Sequence, residues 1–130
     1  MSADLRLLDT SVLVAVARGD ETVLPLAAQR DARAFVTSAL AIAELASLEG
    51  RGRLPAGIAE DFVATLRVEP VLREDALAGG RLHGRLRSTR GSKASLVDAL
   101  MLATARRIGA RLVTLDGDLG DEADVDRLLP

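Results

Sequence analysis

Three carboxylates stand out in this sequence because each is the only charged residue of a long apolar stretch. The stretches are residues 7–17, 34–48 and 94–105, and their single charges are Asp9, Glu44 and Asp98. Burying an isolated carboxylate costs on the order of several kcal/mol unless it is hydrogen-bonded, protonated or bound to a cation. The pattern therefore indicates acids with a function beyond solubility.

Each acid also has an ordinary structural explanation. Asp9 could cap the helix that begins just after it. Asp98 and Ser95 form a Ser-x-x-Asp capping box. Glu44 has mostly apolar neighbours at helical spacing, which predicts an apolar face, although it could reach solvent past the small alanines. Asp116, in the Asp-Gly-Asp segment 116–118, could stabilise a turn through a hydrogen bond from its side chain to the backbone. All four explanations would have to hold together to remove the case for a site.

The composition narrows the chemistry that these acids could perform. The chain has no cysteine and one histidine, His83, so thiolate nucleophiles, Cys-based zinc sites and a catalytic histidine pair are excluded. Converging carboxylates without such ligands match a site for a hard cation, Mg²⁺ or Mn²⁺. Two such ions can activate water and stabilise the leaving oxygen in phosphodiester cleavage.

The elements that must position these acids alternate between strand and helix. Strands are predicted at residues 5–8, 34–37, 68–72, 111–115 and 125–129, and helices at 10–17, 21–30, 38–49, 74–87 and 95–108. A further helix begins at Pro55 and has a buried stripe of Ile58, Phe62, Val63 and Leu66. This order predicts an α/β three-layer sandwich with a central, mostly parallel sheet flanked by helices, in a single domain over residues 1–130. Asp9 and Asp116 follow strands, at the sheet edge where such folds bind ligands.

Four segments of the chain resemble, in order, the four motifs of PIN-domain ribonucleases, and the chain length suits the VapC toxins among them. They are residues 7–15 (LLDTSVLVA), 38–45 (SALAIAEL), 95–105 (SLVDALMLATA) and 112–119 (LVTLDGDL). The resemblance covers nearly the whole chain. The acidic tail, with Asp121, Glu122, Asp124 and Asp126, departs from the pattern and leaves the last strand poorly signalled.

The resemblance implies a function and the residues that perform it. It implies a catalytic, metal-binding quartet of Asp9, Glu44, Asp98 and Asp116, with Asp118 as an auxiliary metal ligand and Thr10, Ser11 and Thr114 as polar support. The cofactor would be Mg²⁺ or Mn²⁺, and the activity endonucleolytic cleavage of RNA. It also implies a homodimer and inhibition by a VapB-like antitoxin, as in type II toxin–antitoxin modules.

A basic segment leads into the stretch that carries Asp98. The net charge of the chain is −2, so nucleic acid must be bound by a local patch rather than by the whole molecule. Residues 76–97 contain no acid but include Arg81, Arg85, Arg87, Arg90 and Lys93. We expect these residues to bind RNA phosphates, and the alternative is a solvated helix face. Some apolar residues between Ser38 and Leu66 could form an oligomer or antitoxin surface, or an ordinary core.

Two rival functions and a location follow from the same residues. A phosphohydrolase with an aspartyl nucleophile at Asp9 commonly needs a second acid two residues later, where Ser11 stands. A catalytically weak PIN-like RNA- or protein-binding module is the non-enzymatic alternative. Uncharged stretches run for about a dozen residues, short of the roughly 20 that span a bilayer. The N-terminus lacks a signal pattern, so we expect a cytoplasmic protein without membrane association.

Overall fold

The computed structural model describes residues 5–23, 34–89 and 91–128, which contain a five-stranded parallel sheet. The strands are β1 (Arg6–Leu8), β2 (Phe35–Ser38), β3 (Arg67–Glu69), β4 (Arg111–Thr114) and β5 (Val125–Arg127). Their order across the sheet is β3-β2-β1-β4-β5, and every neighbouring pair is parallel. The predicted α/β fold with a central parallel sheet is confirmed.

The three central strands form the centre of the core. Leu7 of β1 and Val36 of β2 have no exposed surface, and Leu112 of β4 is almost fully buried. Strands covered by helices on both faces have apolar residues at successive positions rather than alternating ones. The apolar runs in the sequence are therefore explained by the central position of these strands.

Five helices flank the sheet in the part of the chain that the structure describes. They are α1 (Thr10–Ala17), α2 (Ala39–Gly50), α3 (Ile58–Thr65), α4 (Arg73–Arg87) and α5 (Leu96–Arg107). Helix α2 contacts both α1 and α3, whereas α4 packs along α5, so two helical layers enclose the sheet. Within the described ranges, no helix has the length and apolarity needed to cross a lipid bilayer.

Polar side chains cap the first turns of α1 and α2. The Asp9 carboxylate accepts a hydrogen bond from the Val12 N–H at 3.1 Å, and the Ser38 hydroxyl accepts one from the Leu40 N–H at 3.0 Å. Such caps satisfy N–H groups that the helix itself leaves unpaired. Because α1 and α2 each follow a strand directly, their first turns lie at the carboxyl edge of the sheet.

A glycine allows α4 and α5 to pack closely. A Cβ on Gly79 would lie 2.8 Å from Cδ2 and 2.9 Å from Cα of Leu100, whereas a Cβ on Gly80 would meet open space. Of these two glycines in the predicted helix, only Gly79 is required by the packing. The close approach fixes α5 against α4, and α5 carries Asp98.

Some predicted elements differ from the structure. Strand β3 was expected at 68–72 but ends at Glu69, since Pro70 has no N–H to continue the ladder. Val63, expected in the buried stripe of α3, is 51% exposed, so that prediction is wrong. Of the helix predicted at 21–30, residues Glu21–Val23 form a 3-10 turn and the remainder lies outside the described residues.

Arginines hold the acidic tail against the sheet. The Arg111 guanidinium donates two hydrogen bonds to the Asp126 carboxylate, from Nε at 2.9 Å and from Nη2 at 2.8 Å. Arg106 pairs with Glu122 at 3.3 Å and with Asp124 at 3.4 Å. These pairs explain how an acidic, weakly apolar segment forms the edge strand β5.

Candidate metal centre

Three acids from distant parts of the sequence meet at the carboxyl edge of the sheet. Asp9 follows β1, Asp98 lies in the first turn of α5, and Asp116 follows β4. One carboxylate oxygen from each residue can be chosen so that all three lie within 4.8 Å of one another. We call these three residues the acidic cluster.

Asp9 is the most deeply buried member of the cluster, with 4% of its surface exposed. Its Oδ1 accepts hydrogen bonds from the Ser11 hydroxyl at 2.6 Å and the Val12 N–H at 3.1 Å. Burial, assisted by the neighbouring charge of Asp116, raises the pKa of Asp9 to about 6, against hydrogen bonds that lower it. The ionised form of Asp9 is therefore poorly stabilised without a nearby cation.

Asp98 both caps its helix and belongs to the cluster. The Asp98 N–H donates to the Ser95 hydroxyl at 3.0 Å, and the Ser95 N–H donates to Oδ2 of Asp98 at 3.3 Å. Among the described residues, no hydrogen bond reaches its other oxygen, Oδ1. The capping explanation is confirmed, and it leaves one carboxylate oxygen for a further partner.

Asp116 is partly buried beside two other acids. Burial raises its pKa, and the charges of Asp98 and Asp118 add to this effect. The Asp118 N–H donates to Oδ1 of Asp116 at 3.2 Å, which is the turn-stabilising hydrogen bond that the sequence suggested. Asp118 thus adjoins the cluster but is not one of the three acids that converge.

Two hydroxyl groups join the start of α1 to the end of β4. Ser11 donates to Asp9 and accepts a hydrogen bond from the Leu115 N–H at 3.0 Å. Thr114 accepts one from the Asp116 N–H at 3.2 Å, and its hydroxyl lies 3.4 Å from that of Ser11. These contacts fix Asp9 and Asp116 relative to each other, as polar support requires.

Glu44 is placed differently from the other acids. Its side chain is exposed, so the expected apolar face is wrong: the small alanines around it leave the helix surface open to water. The hydroxyl of Thr10, the residue after Asp9, donates a hydrogen bond to Oε1 of Glu44 at 2.5 Å. This contact holds the Glu44 carboxylate near the start of α1. Glu44 is not among the acids that converge within 4.8 Å.

Residues of the basic segment line two different clefts. Arg81, Arg85 and Arg87 are exposed on α4, and Arg85 lines a cleft between α4 and α5 with Asp75 and Arg107. Lys93 lines another cleft, of about 510 Å³, which Asp118 also lines. Arg90 lies outside the described residues. The RNA-binding role of all five residues stays a prediction.

The cluster has the ligand chemistry of a divalent hard cation. All of its donors are carboxylate oxygens, which Mg²⁺ and Mn²⁺ prefer. Two of the three acids have raised pKa values, caused first by burial and then by mutual repulsion. A cation between them would remove this repulsion, so the residues fit the group that the sequence predicted.

An α/β sandwich of parallel strands, with clustered carboxylates where β1 and β4 end, defines the class of this protein. Residues 6–124 match the PIN domain family, and the chain belongs to that family. No curated protein matches the sequence.

Several solved structures share the fold. A toxin–antitoxin complex from Klebsiella pneumoniae is 18% identical, with 93% of this chain and 95% of that chain covered at a TM-score of 0.74. VapBC2 from Rickettsia felis, bound to a promoter DNA fragment, is 19% identical, with 97% of each chain covered and a TM-score of 0.68. Mycobacterium tuberculosis VapC20, a toxin that cleaves the sarcin–ricin loop, is 23% identical, with 88% and 92% covered and a TM-score of 0.65.

Proposed function

We propose that this protein is a Mg²⁺- or Mn²⁺-dependent endoribonuclease and the toxin of a VapBC-type toxin–antitoxin pair. The observation that carries the proposal is the convergence of Asp9, Asp98 and Asp116 within 4.8 Å in a PIN domain. Similar solved structures include toxin–antitoxin complexes and a toxin that cleaves the sarcin–ricin loop, which supports the same function here.

Asp9, Asp98 and Asp116 would hold the cation, with Asp118 and Glu44 at the margin of the site. A bound divalent cation supplies a Lewis acid that activates water and stabilises charge on the phosphodiester. The chain orients the ligands: Ser11 and Thr114 fix two of them, and the Ser95 cap fixes the third. Glu44, held by Thr10, lies where it can accept a hydrogen bond from substrate or water.

Protons compete with the cation for this site. Burial raises the pKa of Asp9 to about 6. Below that pH the proposed ligand is neutral, so cation affinity and cleavage should both fall as the pH drops through 6. This direction follows from the raised pKa, because a carboxylate with an ordinary pKa would stay ionised well below pH 5.

The RNA strand would lie over the cluster and along the cleft that contains Lys93. That cleft, of about 510 Å³, shares Asp118 with the margin of the proposed metal site. The exposed arginines of α4 would contact phosphates further along the strand.

An antitoxin and a second protomer are the proposed protein partners. An apolar groove of about 290 Å³ is lined by residues of α1, the sheet and α3, including Val16, Phe62 and Leu66. An antitoxin segment could bury this groove, while a basic side chain of the antitoxin pairs with the acidic cluster and excludes metal and phosphate.

Co-expression with the neighbouring open reading frame should give a stable, inactive complex. Cleavage by that complex at the rate of the free protein would refute this account of regulation.

Cleavage of RNA by the purified chain tests the proposed activity. The unsubstituted protein should cut RNA with Mg²⁺ or Mn²⁺ and stop when EDTA removes the metal. Asp98→Asn should be inactive, whereas Asp61→Asn, a change to an exposed acid on α3 outside the cluster and its cleft, should retain activity. Sequencing of RNA 5′ ends after a short induction would identify the cleaved sites. RNA binding without metal-dependent cleavage would instead favour the non-enzymatic binding module.

A further inference from the structure

Arg127, the last residue of β5, lies beside the proposed metal site. It is in register with Thr114 of β4, and the Leu128 N–H donates to the Thr114 carbonyl at 2.8 Å. Residues in register on neighbouring parallel strands project from the same face, at a strand spacing of about 4.8 Å. The hydroxyl of Thr114 accepts a hydrogen bond from the Asp116 N–H. Arg127 therefore lies on the same face of the sheet as this contact, at the same edge and one strand further out.

The guanidinium of Arg127 rests on the glycine between two of the acids. A Cβ placed on Gly117 would lie 2.8 Å from Nη1 and 3.0 Å from Cζ of Arg127. Gly117 connects Asp116 to Asp118. The absence of a side chain there is what allows the guanidinium to approach the loop so closely.

Arg127 also differs from the other arginines near the tail. Arg106, Arg107 and Arg111 each form ion pairs with acids. In the part of the chain that the structure describes, no carboxylate lies within 4.0 Å of the Arg127 guanidinium, and the residue is exposed. An exposed guanidinium that is held in place, and not neutralised by the acids, is available to an anionic ligand.

We propose that Arg127 is a phosphate-binding residue for the RNA strand, an inference that rests on the proposed ribonuclease function. A guanidinium presents a planar set of N–H donors that matches two phosphate oxygens. From its position beside Gly117, it would bind a phosphate next to the one at the acidic cluster. It would also offset the repulsion between that cluster and the RNA backbone.

Binding of a short, fluorescein-labelled single-stranded RNA, followed by fluorescence anisotropy across a salt series, tests this role. All proteins compared carry Asp98→Asn, so that the RNA is not cut. Arg127→Gln should weaken binding roughly ten- to a hundredfold, as expected for loss of a charged hydrogen-bonding group. It should also lower the slope of log Kd against log salt by about 0.7, the contribution of one contact to single-stranded nucleic acid. Arg127→Lys should keep the slope and weaken binding less, because it keeps the charge but loses the fork.

Two further variants separate contact from fold. Gly117→Ala keeps Arg127, but the added Cβ would displace its guanidinium. Because this clash is with the flexible end of a side chain, the fold should persist while RNA affinity falls. Arg53→Gln is the control. Arg53 is exposed beyond the far end of the 12-residue helix α2, about 18 Å from the carboxyl edge, and its loss should leave the slope unchanged.

Each outcome decides the inference. Equal slopes for Arg127→Gln and Arg53→Gln would overturn it, as would a loss of thermal stability with unchanged RNA binding, since that would assign Arg127 a structural role only. Absence of RNA binding by the Asp98→Asn parent at low salt would overturn it as well. Failure of the proposed function is a different result: the unsubstituted chain would not cut RNA with any metal, although the effect of Arg127 on binding could still be measured.

Discussion

Replacement of Asp9 by Asn should stabilise the metal-free protein and abolish its activity. Asp9 is 4% exposed, and burial raises its pKa from 3.8 to about 6. A raised carboxyl pKa means that the folded state holds an extra proton between these two values. The free energy of unfolding therefore falls as the pH rises through this window.

The size of the effect follows from the shift. About two pKa units correspond to roughly 3 kcal/mol, reached in full only well above pH 6. An amide does not ionise, and its oxygen can still accept the hydrogen bonds from Ser11 and Val12 that the carboxylate accepts. Asp9→Asn should therefore gain up to about 3 kcal/mol over the unsubstituted protein at pH 8, a rise in Tm on the order of 10 °C. The gain should vanish near pH 4.

Urea unfolding followed by circular dichroism, in EDTA from pH 4 to 8, measures this difference. Asp121→Asn, at an exposed position, is the matched control and should change stability little. Addition of Mg²⁺ or Mn²⁺ at pH 8 should stabilise the unsubstituted protein but not Asp9→Asn, because only a bound ligand shifts the equilibrium. The reasoning is refuted if Asp9→Asn is less stable at pH 8, or if its gain does not depend on pH.

Three other predictions concern separate parts of the molecule. Asp98→Asn should abolish cleavage yet leave Tm within about 2 °C, because the amide keeps the helix cap; full turnover by the folded variant would remove the metal role. Joint replacement of Arg85 and Arg87 by Ala should weaken RNA binding and flatten its salt dependence. Unchanged affinity at low salt would show that this part of α4 is a solvated helix face. Gly79→Ala should lower the free energy of unfolding by about 1–3 kcal/mol through its clash with α5, whereas Gly80→Ala, which meets open space, should be neutral or stabilising in urea titrations.

Two residues of the site could be predicted from the sequence because they directly follow strands. Asp9 and Asp116 follow apolar runs that had to be central parallel strands, and such strands end at a common edge. Asp98 was marked by its isolation in an apolar segment. Its capping partner Ser95 was also readable, and the structure shows that the cap and the cluster use the same residue.

The unpredicted features depend on distances that a linear pattern does not contain. Alanines around Glu44 resemble a buried face in sequence, but side chains so small leave the carboxylate exposed. The last strand was poorly signalled because the partners of its acidic segment, Arg106 and Arg111, lie on α5 and β4. The position of Arg127 depends on the register of β5 and on the missing side chain of Gly117, neither of which has a local signal.

The location of a bound metal tests the central claim most directly. Crystals of the full chain soaked in Mn²⁺ can be measured for anomalous scattering, with a parallel soak of Asp98→Asn. The account predicts a manganese peak about 2.1 Å from carboxylate oxygens of at least two of Asp9, Asp98 and Asp116. The peak should be lost or weakened in the variant. A map without density among these three acids, from crystals of a chain that cuts RNA with Mn²⁺, would contradict it.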